Sequence, residues 1–481
     1  MRTKNKIISL LSLLVISLTS FSKVIDTLTT EQLLKIAGKY EKRQNDERAL
    51  VCYEQVLTQN PSHFEALLHR ALILNLPCDF NIDTLTLNQL IKIGEIYRDR
   101  DNPEQSAYYF ECAIQRDPTN NYTLTQAARM LRLLRNYDQA IAYQTKAARA
   151  DPQNNEMLTQ LYLENGEIEK AFDTKKRVMS AQHKNFIIDP AAGLGDHFML
   201  IRYAKILKEL GACVRVKIKP SLIPLFSLSE YIDLIKTDEQ YKPAGSIELN
   251  YFEIVQFFYE NIDRTIPTDI PYLKADPTLV QYWHEKLASD TNFKIGLCWH
   301  GSVSCWLNEH LLSSRSIPLN AFLPLLTVPG VSIYSLQQIN GLDELLALQS
   351  NPVHPAEPGE ALERRGEFVD LSVVALAKSE GYIHTFNPDF DKKNGAFMDT
   401  AAVMENLDLI ISCDTSIVHL AGALGRPVWT ILPYAGEWRW PVTDTDRSSW
   451  YPTMRLFRQE IPGNWDDVIA RIAQEVKKIV A

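Results

Sequence analysis

A chain of 481 residues, 46% hydrophobic and 23% charged, has an ordinary globular composition and enough material for about three domains of roughly 150 residues. Its formal net charge of -9, with no basic tail or face to offset it, argues against nucleic acid as a partner. Seven cysteines, scattered without a CxxC pair or a Cys/His cluster, read as reduced thiols, so neither a disulfide framework nor a metal site is expected.

The chain opens with Arg2, Lys4 and Lys6, followed by an uncharged run from Ile7 to Ser22 that Lys23 closes. As a helix these sixteen residues reach about 24 Å, short of the ~30 Å hydrocarbon core of a bilayer. Residues 1–22 therefore read as a signal peptide, a weak hydrophobic anchor or an extra apolar helix packed on the neighbouring segment, with Ser20-Phe21-Ser22 as a small-x-small cleavage site. Any membrane contact is expected through this segment alone, if it is retained.

From residue 30 a helix-turn-helix pattern repeats. Residues 30–63 place Leu33, Ile36, Ala37 and Tyr40 on one helix and Ala49, Tyr53 and Val56 on the next, with Pro61 closing the unit. The skeleton returns in 87–120 as Leu90, Ile93, Gly94, Tyr97, Phe110, Ala113 and Pro118, and in 121–154 as Leu124, Ala127, Ala128, Leu131, Ala140, Ala147 and Pro152. Pro118 and Pro152 stand 34 residues apart (152 minus 118), and the pattern resembles the tetratricopeptide repeat. Pro61 and Pro118 are 57 apart (118 minus 61), so 64–86 is either a degenerate copy or an irregular connector. Residues 156–183 read as a shorter closing pair. A helical solenoid over 30–183 is expected to hold a protein or peptide; the alternative is that it stiffens or dimerises the molecule.

After residue 185 the texture changes to strand, glycine turn, helix and strand. The turn is Gly193-Leu194-Gly195-Asp196, where the backbone must approach a ligand or a neighbouring element, and Asp196 heads a helix carrying Met199, Leu200, Tyr203, Ile206 and Leu207. The turn lacks the third glycine and the downstream acidic residue of a dinucleotide-binding unit, which makes a nicotinamide-dependent enzyme unlikely. Prolines at 267, 271 and 277 mark a connecting segment, and a helix over 278–288 leads to a second α/β unit. That unit has strands at 293–299, 331–336 and 369–371, helices near 319–326 and 399–406, and a final helix over 465–480 expected to bridge the two units. Residues 185–290 and 291–460 thus form two Rossmann-like units, with 464–481 as the bridge.

The stretch 406–433, NLDLIISCDTSIVHLAGALGRPVWTILP, confines its polar chemistry to a strand-to-helix turn, Asp414-Thr415-Ser416. Helix N-termini beyond the carboxyl ends of parallel strands present free N–H groups, so this turn is a candidate anion site.

GLGD after the first strand, IGLCWHGS followed by RSIPL, and above all DTAAVMENLDLIISCDTSIVHLAGALGRPVW with PYAGEWRW and SSWYPTMRLFRQ resemble tetratricopeptide-repeat proteins whose C-terminal half is similar to glycosyltransferase family 9, the heptosyltransferase-like family. The resemblance implies a GT-B arrangement and an inverting transfer from a nucleotide sugar, a co-substrate and not a cofactor, with no metal required. It implies that Asp196 is the general base, that Arg315 meets the sugar diphosphate, and that Trp299, Gly301, Ser302, Asp414, Thr415, Ser416 and His419 line the donor site beside the Gly193/Gly195 turn. The family's PLMSLP-like segment is absent, and Ile247-Glu248-Leu249-Asn250-Tyr251 stands instead. A donor made in the cytoplasm and unpaired cysteines favour that compartment, against the possible export signal of 1–22.

Each residue also has a plainer reading. Asp196 and Asp414 suit helix N-caps, His419 suits a packed helix residue, and Trp299, Trp438 and Trp440 suit core filler. Arg315 suits a surface ion pair, His300 a solvated turn and Cys413 a buried strand thiol. The rival to an enzyme is a scaffold that has kept only the transferase fold.

Overall fold

The computed structural model describes residues 25–74 apart from 42 and 44, 82–151, 155–173, 185–189, 193–236, 245–261, 265–301, 315–350 apart from 339, 383–443 and 446–481. The segment 1–22, the strand expected at 369–371 and Ser302 lie outside these residues. Among the described residues no helix is long and apolar enough to cross a membrane. The chain forms two compact units, one taking the residues up to Tyr97 with Tyr108–Asp117, the other Arg98–Ala107 with everything from Pro118.

In the first unit the apolar stripe of the Thr30–Glu41 helix, Leu33 and Ala37, buries against Ala49, Cys52, Tyr53 and Val56 of the Asp46–Gln59 helix, which Asn45 caps by accepting from Arg48 N at 3.2 Å. Within 64–86, Phe64–Ile73 is a helix and Ile82–Thr84 is a single 3₁₀ turn, with 75–81 outside the described residues. A second cluster joins Leu68 to Leu90, Ile93, Tyr109, Cys112 and Ala113. Gly94 is small for a reason, since a Cβ there would stand 3.1 Å from the Phe110 ring.

In the second unit the Asn121–Leu133 and Tyr137–Ala150 helices bury the expected Leu124, Ala127, Ala128, Leu131, Ala140 and Ala147. The packing joins these helices to the α/β part. Arg132 and Glu164 form a buried ion pair at 2.5 Å, and the Glu164 carbonyl accepts from Val442 N at 3.2 Å. Arg135 donates to the Tyr434 carbonyl and stacks on its ring at 3.7 Å. Leu163 and Ala171 belong to the α/β core.

Four strands, β1 Asn185–Ile188, β2 Cys213–Lys217, β3 Leu234–Lys236 and β4 Ile247–Leu249, make a parallel sheet in the order β3-β2-β1-β4. Six more, β5 Phe293–Cys298, β6 Val331–Ser335, β7 Ile383–His384, β8 Leu409–Cys413, β9 Val428–Leu432 and β10 Met454–Arg458, make a second parallel sheet in the order β10-β9-β8-β5-β6-β7. Strands β8 and β9 are buried on both faces, which is why they read as unbroken apolar runs. The strand order reverses between β5 and β8, paired as Cys298↔Ser412, and between β1 and β4, paired as Ile188↔Leu249. Ligand crevices open at the carboxyl ends of such strands.

The proline-rich connector crosses to the second sheet and is pinned where Tyr272 N and Leu273 N both reach the Ala423 carbonyl, at 2.9 and 3.1 Å. Pro277 is not outside the following helix but is its first residue, under the Asp276 cap, because a first-turn N–H has no intrahelical partner to lose. The last helix, Trp465–Val480, has one apolar stripe, and it is spent on one partner: Val468, Ile469, Ile472, Ala473 and Val476 enter the core of the six-stranded sheet. It serves that sheet, and the expected bridge is corrected accordingly.

Candidate functional site

The turn after β8 is built as a cap. Thr415, not Asp414, caps the Ser416–Ala423 helix by accepting from Ile417 N at 3.2 Å, and its hydroxyl also lies 3.1 Å from Ser412 Oγ. That releases the Asp414 carboxylate, 3% exposed, to face the site. It accepts from Arg315 Nη1 at 3.2 Å and lies 4.0 Å from His419 Nε2. Burial pushes the Asp414 carboxyl up, but Arg315, His419 and Arg439 outweigh it and hold the group below the usual range.

One turn along the same helix, His419 is wedged. Its Nδ1 lies 3.0 Å from the Tyr451 hydroxyl, and its ring stacks on Trp440 at 5.3 Å. Burial drives its pKa down to about 4, so the ring is neutral at physiological pH. The plainer reading of His419 as a packed residue holds, yet it packs against the site and not away from it. A Cβ on Gly195 would meet His419 Cδ2 at 2.7 Å, so the glycine of the first turn exists to let the Leu194–Leu200 and Ser416–Ala423 helices close.

Asp196 is the fourth residue counting from Gly193, whose N–H donates to Asp196 Oδ2 at 2.9 Å. It is therefore part of a helix cap, and its other oxygen accepts from Arg439. Burial raises the Asp196 carboxyl, but the Arg439 guanidinium, with His419 and the Gly193 N–H, reverses the sign and holds it low. Arg439 also donates to Glu437 and lies over the Trp438 ring at 4.4 Å. Sequence reasoning missed both Glu437 and Arg439. They sit in a loop without periodicity, and the only signal was the density of charge and tryptophan in GEWRW.

Gly301 joins the site: a Cβ there would touch Arg315 Cβ and Thr415 Cγ2 at 3.9 Å each. Ser416, half-buried, opens the helix beside them. Trp299 does not join. Its ring is fully buried in the core of the six-stranded sheet with Phe322 and Leu325, so the expected donor contact is corrected to core packing. His300 is no solvated residue either, since Nε2 pairs with Glu344 at 2.7 Å. Cys413 is the buried strand thiol expected. Among the described residues no group of three or more His, Cys, Asp or Glu side chains is set to hold a metal ion.

Among the described residues, helical pairs precede two parallel α/β sheets that bring an Asp196–Arg439 pair against an Asp414–Arg315 pair. A tetratricopeptide-repeat model matches residues 122–154. Protein FlbA of Caulobacter vibrioides is 24% identical over 316 residues, 62% of this chain and 47% of FlbA, so the chain spans about half the length of the curated relative it matches. Among solved structures, the E. coli ADP-heptose lps heptosyltransferase II is similar with a TM-score of 0.40 at 12% identity, covering 62% of this chain and 98% of that one. The glycosyl transferase family 9 structure from Veillonella parvula DSM 2008 has a TM-score of 0.38 at 11% identity, over 63% and 98%. The chain carries a tetratricopeptide repeat at residues 122–154, ahead of a C-terminal region built on two parallel α/β sheets.

Proposed function

We propose that the α/β region transfers a glycosyl group from a nucleoside-diphosphate sugar, with inversion and without a metal, to an acceptor held by the helical repeats. The observation that carries this reading is the meeting of Asp196 with the Asp414–Arg315 turn, from two different sheets, at the strand ends where such folds bind ligands. An inverting displacement needs a carboxylate to take the acceptor hydroxyl's proton, and Asp196 is ionised to do so. It needs donors where the leaving diphosphate gains charge, and Arg315, Thr415, Ser416 and the N–H groups behind them are the candidates. A helix terminus contributes only about 0.3–1 kcal/mol, whereas an aimed, buried donor contributes roughly 2.7–4 kcal/mol in the transition state, so Arg315 outweighs the dipole. Asp414, a carboxylate, would repel a diphosphate; its work is to hold Arg315 and, with it, the sugar hydroxyls.

Calorimetry with a panel of sugar nucleotides, followed by product analysis with cell-extract polypeptides and glycans as acceptors, tests the proposal. The expected outcome is binding of one donor, with Asp196→Asn binding it but not transferring the sugar. A second reading, a non-catalytic scaffold, is favoured by one observation: the Asp196 carboxylate is already engaged by Arg439. Full transfer activity in Asp196→Asn, or no sugar nucleotide bound, would decide for it.

A further inference from the structure

The loop 433–443, whose Glu437 and Arg439 carry no assignment from the sequence, sits at the centre of the site's charge. Glu164 is matched by Arg132 and Asp414 by Arg315, but Asp196 and Glu437 share one guanidinium, that of Arg439. Arg439 and Glu437 are 14% and 17% exposed, so solvent does little to settle the difference. His419 cannot supply the missing charge, being neutral. Arg202, the next cation on the His419 side, spends its donors on the carbonyls of Met199, Pro267 and Trp450. An under-matched carboxylate in such a place is costly, and taking up a proton relieves the cost.

The groups facing Glu437 say which carboxylate takes it. Arg439 on its own loop favours the ionised form, while Asp414 from the end of β8 and Glu164 from the Asn155–Glu164 helix oppose it. Arg132, from the Asn121–Leu133 helix, is within electrostatic reach but committed to Glu164, and Arg458 on β10 acts on Glu164 while its donors go to the Pro433, Ala435, Trp440 and Pro441 carbonyls of the loop. Burial comes on top and pushes the Glu437 carboxyl up to about 7, whereas Asp196 is held low.

We propose that Glu437 and Arg439 belong to the ligand site, Glu437 taking up a proton when an anionic diphosphate arrives and so leaving Arg439 to the ligand. This rests on the donor-site reading above and adds a second cation and a proton to it. The proton comes from solvent and stays on the Glu437 carboxyl while the diphosphate is bound. Asp196 loses part of its counter-ion in the same event, which makes it a better base only when the donor is present.

Inorganic pyrophosphate is the probe, titrated calorimetrically into the full chain in buffers of different ionisation enthalpy, with Glu437→Gln and Arg439→Gln alongside. Glu437→Gln imitates the protonated carboxyl and also removes the ligand's own protonation from the comparison. At pH 7 the unmodified protein is expected to take up about half a proton more than Glu437→Gln. Its affinity should fall between pH 7 and 8.5 relative to that variant, and Arg439→Gln should bind roughly tenfold more weakly or worse. Equal proton uptake in the unmodified protein and Glu437→Gln, or undiminished binding by Arg439→Gln, overturns the inference, and the donor site stands if pyrophosphate still binds and Arg315→Gln weakens it. Failure of the unmodified protein to bind pyrophosphate or any sugar nucleotide overturns the donor site and this inference together.

Discussion

Replacing Gly195 by Ala adds one methyl at the closest approach of the two helices that carry the site. The new Cβ would stand 2.7 Å from His419 Cδ2 and 3.4 Å from Nε2. His419 cannot yield, because it is 3% exposed, bonded to the Tyr451 hydroxyl at 3.0 Å and stacked on Trp440. Overpacking of this kind costs about 1–3 kcal/mol, and the better helix propensity of alanine returns about 0.5–1 kcal/mol, so a net loss of roughly 0.5–2 kcal/mol is expected. The same substitution at Gly38, inside the Thr30–Glu41 helix with nothing within 4 Å, has the propensity gain alone and should stabilise the first unit by about 0.5–1 kcal/mol. The assay separates the two. All 8 tryptophans lie at or beyond Trp283, so urea unfolding followed by tryptophan fluorescence reads the second unit, while far-UV circular dichroism also registers the first. A Gly195→Ala midpoint equal to or above that of the unmodified protein would refute the wedge, and with it the account of why this turn carries glycine.

Arg202→Met removes a buried guanidinium that donates to three carbonyls and the Tyr272 hydroxyl, taking from the Pro267 and Trp450 carbonyls this charged donor; a loss of about 3 kcal/mol or more is expected in the same urea assay. Glu164→Ala strands the buried Arg132 and should cost about 3–5 kcal/mol, whereas the paired change Arg132→Met with Glu164→Leu should recover most of it; a double variant no better than the single one would contradict the ion-pair account. His419 has a folded pKa near 4 against an ordinary 6.5, so the unfolded chain gains a proton first as pH falls. Its contribution to stability is whole above pH 6.5 and drains away down to pH 4, and His419→Gln should flatten the acid decline of the urea midpoint over that window.

Much of the architecture is legible in the sequence because parallel strands buried on both faces leave unbroken apolar runs, as at Leu409–Cys413 and Val428–Leu432, and because repeat helices keep their phase. Asp414 is legible for a related reason, since it ends such a run where a polar residue must serve a cap or a ligand, and Asp196 because it follows a glycine turn at the start of a helix. Arg439 is not. Its partner Asp196 lies 243 positions away, and no local spacing encodes a contact that only the docking of two sheets creates. Trp299 misleads in the opposite direction, since a tryptophan after a strand reads equally well as a platform or as filler, and the choice is made by Phe322 and Leu325 from a later segment.

The grip of Arg135 on Tyr434 and of Glu164 on Val442 has an evolutionary consequence. Recombination that exchanged the repeat array at residue 184 would carry off two walls of the loop bearing Glu437 and Arg439. The contacts that hold the loop come from the helices within 121–173, so an exchange of repeats that leaves the loop intact must keep those helices with the α/β sheets.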